Sequence, residues 1–235
     1  MTRRRWIADE VSGDRALILG EHAAHLSRVL RVKVGQQFDI ATPLGARSGE
    51  VIAVDAERVE FVLGEAISER ARARITLLLA VFKFDRMEWA IEKCTELGVS
   101  RIAPVISRRT EPHLAAAAVK RVERWHRIAQ QASEQARRSF VAEIAAPVKL
   151  KDALKIKDEL AIVLSENEKA VSLRDLLTES RNSLSLALGP EGGWTDDELA
   201  LFAAAGWKSA SLGNTILRAE TAAIAATAIA LSELQ

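Results

Sequence analysis

Near the start of the chain, residues 16–19, 37–42, 49–55 and 58–63 are short runs rich in strand-forming side chains. Gly35, residues 43–45 and residues 55–57 punctuate them. Strands this short at this spacing predict a small barrel. Between the first two runs, EHAAHLSRVLRVKVG changes period. Ala23, Leu26, Val29 and Leu30 recur at helical spacing, whereas Arg28 and Arg31 fall off that stripe. The pattern predicts a helix that buries one side and offers cations on another.

From Ile75 onward the pattern is different. ITLLLAVF (75–82), RIAPVIS (101–107), ELAIVLSE (159–166) and SLSLALG (183–189) are continuous apolar runs, the mark of parallel strands covered on both faces. The segments between them are long enough for helices, so this part reads as α/β. One helix, 85–97, opens with Asp85 and Glu88 in capping-box spacing, buries Ala90, Ile91, Cys94 and Leu97, and stops at Gly98. A charged, aperiodic stretch, SERARAR (68–74), separates the two regions, and two domains are expected.

Two glycine turns punctuate the C-terminal half. In LALGPEGGWTDDELALF (186–202), Thr195 and Glu198 form a capping box, so a helix begins near Asp196 and GPEGGW is a strand-to-helix turn. Ligands of α/β sheets bind at such strand ends. Gly189, Gly192 and Gly193 match neither GxxxxGK[ST] nor GxGxxG, which argues against a nucleoside triphosphate or a dinucleotide. Pro190 fixes φ, and Gly192 and Gly193 are free to take positive φ and admit a ligand to the backbone. Glu191, Asp196, Asp197 and Glu198 favour a cationic ligand. Taken alone, the turn is equally an ordinary left-handed turn followed by a cap. The second turn, in SLGNTILRAETAAIAATAIAL (211–231), follows a short strand at 207–212 and leads into an Ala-rich helix without charge from Thr221 to Ser232. Two such turns at neighbouring strand ends predict one pocket, and the helix should be buried on all sides.

Composition bounds the class: 235 residues, 49% hydrophobic and 28% charged, suffice for a globular core. No window reaches the ~18–20 apolar residues of a membrane span, and MTRRRWIADE has no apolar segment behind its arginines. A lone cysteine, Cys94, fits a reducing cytoplasm and should be inert. The net charge is +1, but residues 101–139 carry nine Lys/Arg against three Asp/Glu. Such a block is either a solvated face or a phosphate-binding surface. His22, His25, His113 and His126 form no ligand constellation.

The motifs GPEGGWTxxE and SLGxxILRAETA, with HLSRVLRVKVGQ (25–36) and KFDRMEWAIEKCTELGVSRIAPVISRRT (83–110), occur in order along nearly the whole chain. Together they resemble the RsmE family of SPOUT-class, S-adenosylmethionine-dependent methyltransferases, which act on N3 of a uridine in 16S ribosomal RNA. The resemblance implies a PUA-like RNA-binding β-barrel over 1–70 and a trefoil-knotted α/β SPOUT domain over 75–235, in a cytoplasmic homodimer acting on small-subunit RNA, within the assembled subunit, without metal or membrane. It implies that three loops hold S-adenosyl-L-methionine: Leu164, Ser165 and Glu166; Leu188, Gly189, Pro190, Glu191, Gly192 and Gly193; and Leu212, Gly213, Asn214, Ile216 and Leu217. Arg218 would stabilise charge on the uracil carbonyls as the N3 proton departs. Glu220 is either the proton acceptor or a helix-start cap or ion-pair partner. RNA contacts would come from Arg3, Arg4, Arg5, His25, Arg28, Arg31, Lys83 and Arg86, with Arg108, Arg109 and Arg138 as second choices. Trp89, Trp125 and Trp207 are expected in cores, and Trp194 in a pocket wall. One departure stands out: the family pattern Glu-Gln-Ser/Cys-Gly-Arg is here Glu134, Gln135, Ala136, Arg137, Arg138. An RNA-binding module that has lost activity and an unrelated α/β nucleotide enzyme are the alternatives. The first conflicts with two intact glycine turns, the second with the absence of a Walker lysine or GxGxxG.

Overall fold

The computed structural model describes residues 5–67, 73–178 and 181–234. Arg3, Arg4 and most of the 68–74 stretch therefore lie outside the described residues. The chain divides into two compact units, 1–71 with 133–141, and 72–132 with 142–235. The segment 133–141 thus groups with the N-terminal unit, which a single cut near residue 70 does not provide for.

The first unit is built on a six-stranded sheet of β1 (Arg5–Ile7), β2 (Glu10–Ser12), β3 (Arg15–Leu19), β4 (Gln37–Thr42), β5 (Gly45–Val54) and β6 (Arg58–Ala66), in the order β1-β4-β5-β6-β3-β2. Only β1 and β4 run parallel. The two edge strands are consecutive in the chain, joined through Ala8 and Asp9. Ala8 N–H donates to Ala41 O and Asp9 N–H to Leu17 O, which draws the two edges together. Inside sit Ile18, Leu26, Ile40, Val51, Val59 and Phe61, all fully buried. The helical segment begins as α1 (Gly20–Ala24) and continues as a π turn, His25–Val29. A π turn adds a residue to the helical repeat, and this shifts the phase of the stripe. Ala23 and Leu26 stay buried, but Val29 is 65% exposed, contrary to the helical pattern.

The second unit carries a parallel sheet of β7 (Arg74–Ala80), β8 (Arg101–Ile106), β9 (Glu143–Ile144), β10 (Val148–Lys149), β11 (Leu160–Leu164), β12 (Ser183–Leu188) and β13 (Lys208–Ala210). Its order is β10-β8-β7-β12-β11-β13, with β9 also on β8. The helices are α2 (Phe84–Leu97), α3 (Pro112–Gln135), α4 (Leu150–Ala153), α5 (Asp196–Ala204) and α6 (Ala219–Glu233). All six residues of β12 and all five of β11 are buried, as their unbroken apolar runs require.

Three expectations for the helices need correction. Helix α2 starts at Phe84 with Lys83 as N-cap and no side-chain cap; Glu88 instead accepts from Arg124 at 2.7 Å, and Leu97 is only half-buried. Trp89 is 49% exposed rather than in the core, whereas Trp125 and Trp207 are buried. Helix α6 is not covered all round: Ala223, Ala226, Thr227 and Ala230 are buried, while Thr221, Ala228 and Ser232 are exposed. Cys94, packed under α6, receives a hydrogen bond from Thr227 Oγ1 at 3.5 Å, and burial pushes its thiol up to about 12 against that bond. Among the described residues no helix is long and apolar enough to cross a membrane.

The departure at Arg137 has a structural consequence. Helix α3 ends at Gln135, Arg137 N–H donates to Glu134 O and Arg138 N–H to Ser133 O, the two bonds of a Schellman ending. Arg137 occupies the left-handed position at φ 55°, where the family pattern has glycine. A side chain there costs about 1 kcal/mol. Arg137→Gly should therefore raise stability by about 0.5–1 kcal/mol, shifting the thermal midpoint up by roughly 1–3 °C. Circular-dichroism melts read this, and a lowered midpoint would contradict it.

Candidate active site

Strand register brings the site together. Val163 of β11 pairs with Ala187 of β12 on one side and Ser209 of β13 on the other, so these three strands end at one edge of the sheet. The loops that follow must then be neighbours, although they come from three distant parts of the chain. They enclose a cavity of about 120 Å³.

Leu164, Ser165, Glu166, Leu188, Gly189, Pro190, Glu191, Gly193, Leu212, Gly213, Ile216 and Leu217 all line it, as expected of them. Two anticipated residues do not. Gly192 faces a separate small cavity beside Arg109, whose guanidinium donates to the Gly192 carbonyl. Asn214 is exposed and absent from the lining. Sequence reading missed Asn167, Ser211, Thr215, Ala219 and Ala222 in the wall. Ala222 could have been found, because it lies three residues after Ala219 on one helix face. Trp194 also lines the cavity, with its ring edge-on to Phe202 at 5.0 Å.

The glycines make the turn tight. A Cβ on Gly189 would stand 3.2 Å from the Gly193 carbonyl carbon. Gly193 has φ 70°, and a Cβ there would meet Glu166 Oε1 at 3.1 Å. Gly192, by contrast, does not take a positive φ.

The acidity of the wall is narrower than the sequence indicated. Glu198 is buried as the cap of α5: its Oε2 accepts Thr195 N–H, its Oε1 accepts Arg108 N–H at 2.8 Å, and Glu198 N–H donates to Thr195 Oγ1. Asp197 lies 3.7 Å from Arg108 Nη2. The carboxylates in the wall are Glu166 and Glu191. Just beyond the first loop, Glu168 accepts the N–H groups of Ala170 and Val171, which hold its carboxyl below the usual range and keep it ionised.

Arg218 is exposed, at the N-cap of α6, between the wall residues Leu217 and Ala219. Glu220 is 3% exposed and absent from the lining; its Oε1 lies 3.8 Å from Arg86 Nε, so the structure favours the ion-pair alternative over the proton acceptor.

Several expected RNA cations are engaged within the protein. Arg5 donates to Arg137 O and Ser139 Oγ and lies 3.9 Å from Asp39. Arg138 is buried, its guanidinium 4.4 Å from the Phe140 ring centroid. Arg86 holds Glu191 at 2.8 Å. His25, Arg28, Arg31 and Lys83 are exposed. Arg31 has φ 51°, the ending of the π turn.

A parallel α/β sheet with a ligand-sized cavity at its carboxyl edge is the frame of an RNA methyltransferase domain, and residues 69–231 match that family's model. The chain is 32% identical over 215 residues to the ribosomal RNA small subunit methyltransferase E of Rickettsia conorii, covering 88% of this chain and 85% of that protein. Its counterpart in Synechocystis is 33% identical over 211 residues, covering 87% and 68%. Among solved structures, the Neisseria gonorrhoeae ribosomal RNA small subunit methyltransferase E bound to S-adenosyl methionine superposes with a TM-score of 0.81 at 29% identity, covering 97% of this chain and 96% of that one. A Legionella pneumophila methyltransferase with bound SAM gives 0.83 at 26%, covering 99% and 98%. The chain belongs to the RNA methyltransferase domain family and, within it, to the ribosomal RNA small subunit methyltransferase E family.

Proposed function

We propose that this protein transfers a methyl group from S-adenosylmethionine to N3 of a uridine in 16S ribosomal RNA, within the assembled small subunit and in the cytoplasm. The observation that carries the reading is the convergence of the β11, β12 and β13 loops on one glycine-walled, carboxylate-bearing cavity. The wall fits the cofactor in its chemistry. Apolar Leu188, Pro190, Leu212 and Leu217 suit an adenosine, the close approach at Gly189 and Gly193 leaves backbone groups within reach, and Glu166 and Glu191 suit a sulfonium. When bound, the sulfonium supplies an electrophilic methyl group.

The chain's own task is to present an unpaired uracil and favour its N3 anion, since that nitrogen holds its proton in a base pair. The N3–H bond breaks, N3 forms its bond to the methyl carbon as the sulfur–methyl bond breaks, and the sulfur leaves as a neutral thioether. Arg218, beside the cavity wall, faces the developing charge on the uracil oxygens; its own pKa is too high for it to take the proton. The fold completing this site is a trefoil knot through which the C-terminal segment passes, and the N-terminal unit is a PUA-like RNA-binding domain whose exposed His25, Arg28 and Arg31 meet the RNA, with Lys83 adding a contact from the methyltransferase domain.

The protein works as a homodimer. Support comes from α6, which leaves Thr221, Ala228 and Ser232 on an uncharged, small-residue face. Ala226 is buried within its own chain, so the dimer face is the opposite one. Sedimentation of the purified protein reads its assembly, and a monomer at all concentrations excludes this arrangement.

The decisive experiment is sequence-resolved mass spectrometry of ribosomal RNA from cells with and without the gene. One uridine should lose its N3-methyl group when the protein is missing and regain it on complementation. An unchanged modification pattern would refute the reading.

A further inference from the structure

Arg86 lies on the first turn of α2 and has acidic partners on two other elements. Its Nη1 donates to Glu191 Oε1 at 2.8 Å, on the glycine turn after β12. Its Nε stands 3.8 Å from Glu220 Oε1, in the first turn of α6. Glu220 is 3% exposed, and its other oxygen has no hydrogen-bond partner among the described residues. A carboxylate buried that deeply needs a counter-charge, and the helix N-terminus offers only part of one.

We infer that Arg86 is a positioning residue of the cofactor site, tying the glycine turn to the start of α6 and neutralising part of the wall's charge, rather than a contact to RNA. This rests on the cofactor reading above. The guanidinium is held by a helix that buries Met87, Ala90 and Ile91, so it is a fixed point for two loops that would otherwise be set only by their own chain. A lysine could not serve both carboxylates, because a point charge lacks the two separated donor sites of a guanidinium. The group also has an electrostatic consequence. One cation between two carboxylates leaves a net negative charge beside Glu191, which lines the cavity. That residue of charge favours the sulfonium of S-adenosylmethionine over the neutral thioether left after transfer.

The test is titration calorimetry with S-adenosylmethionine and with S-adenosylhomocysteine on wild-type protein, Arg86→Ala, Arg86→Lys, Glu191→Gln and the Arg86→Ala/Glu191→Gln double variant. Arg86→Ala should weaken both ligands by about tenfold or more, Arg86→Lys should recover only part of this, and the double variant should be no weaker than the worse single one. The preference for the sulfonium should move in opposite directions, up by about threefold in Arg86→Ala and down by a similar factor in Glu191→Gln. General damage to the fold would move both the same way, and that result overturns the inference. So does normal binding of both ligands by Arg86→Ala combined with a shallower salt dependence of RNA binding, the signature of a cation that holds a phosphate. If Arg86→Ala does not fold, Glu191→Gln and Arg86→Lys carry the same comparison. Failure of the wild-type protein to bind either ligand would instead defeat the cofactor reading itself.

Discussion

Arg218→Ala is expected to lower the single-turnover rate of methyl transfer by a factor on the order of a hundred or more, with cofactor and RNA affinities close to normal. The residue is exposed at the N-cap of α6 with wall residues on either side, so its removal leaves no buried partner unpaired and no cavity behind. What is lost is a cation where the uracil becomes negative, an interaction made in the transition state and not in the ground state. Arg28→Ala/Arg31→Ala should differ in kind. Those arginines are exposed in the first unit, and their removal should weaken RNA binding and make its salt dependence shallower by about 0.7–0.9 log units for each phosphate no longer neutralised, with cofactor affinity unchanged. Single-turnover methylation of small subunits lacking the modification, run beside filter binding over a salt series, separates the two. Arg218→Ala methylating at the normal rate would remove the charge-stabilising role.

Why the strands were legible and the arginines were not has a physical reason. A continuous apolar run such as SLSLALG admits few structures in water except a strand covered on both faces, and β12 is buried at every residue. Thr195 and Glu198 form the capping box their spacing indicates, because that bond pattern is local. The same local rule failed at Asp85 and Glu88, where a distant partner competed: Arg124 on α3 takes Glu88. Strands β1 and β2 were invisible for want of length, since RWI and EVS are too short to show a period. Charge counting located a basic block but could not say which cations have partners. Arg101 lies 3.2 Å from Glu143, and Arg121 and Arg124 both reach Glu88; long side chains find acids far away in sequence. For the cavity, the glycine turns marked two loops directly. The wall contributed by Ala219 and Ala222 depended on knowing where α6 begins, and the turn of Gly192 away from the cavity depended on Arg109.

Gly193→Val should abolish useful cofactor binding while leaving the protein folded. At φ 70° a β-branched residue is strained by about 1–3 kcal/mol, and its Cβ would also press on the Glu166 carboxylate at 3.1 Å. The turn relieves this by rotating toward negative φ, which moves the Gly193 and Trp194 backbone and displaces Glu166, all three in the cavity wall. Removing two backbone hydrogen bonds to the ligand at about 1 kcal/mol each, together with the disturbed carboxylate, corresponds to an affinity lower by a factor of roughly thirty to a hundred. Gly35→Val is the matched control: its φ is 87°, in the first unit, with nothing within 4 Å of the added carbon. It carries similar strain, so it should lower the thermal midpoint by a comparable amount and leave cofactor affinity untouched. Calorimetric titration with S-adenosylmethionine and melting curves on both variants give the comparison. Equal affinity in Gly193→Val and wild type would mean that the glycine turn does not touch the cofactor, whereas equal weakening in Gly35→Val would trace the effect to reduced stability and not to the site.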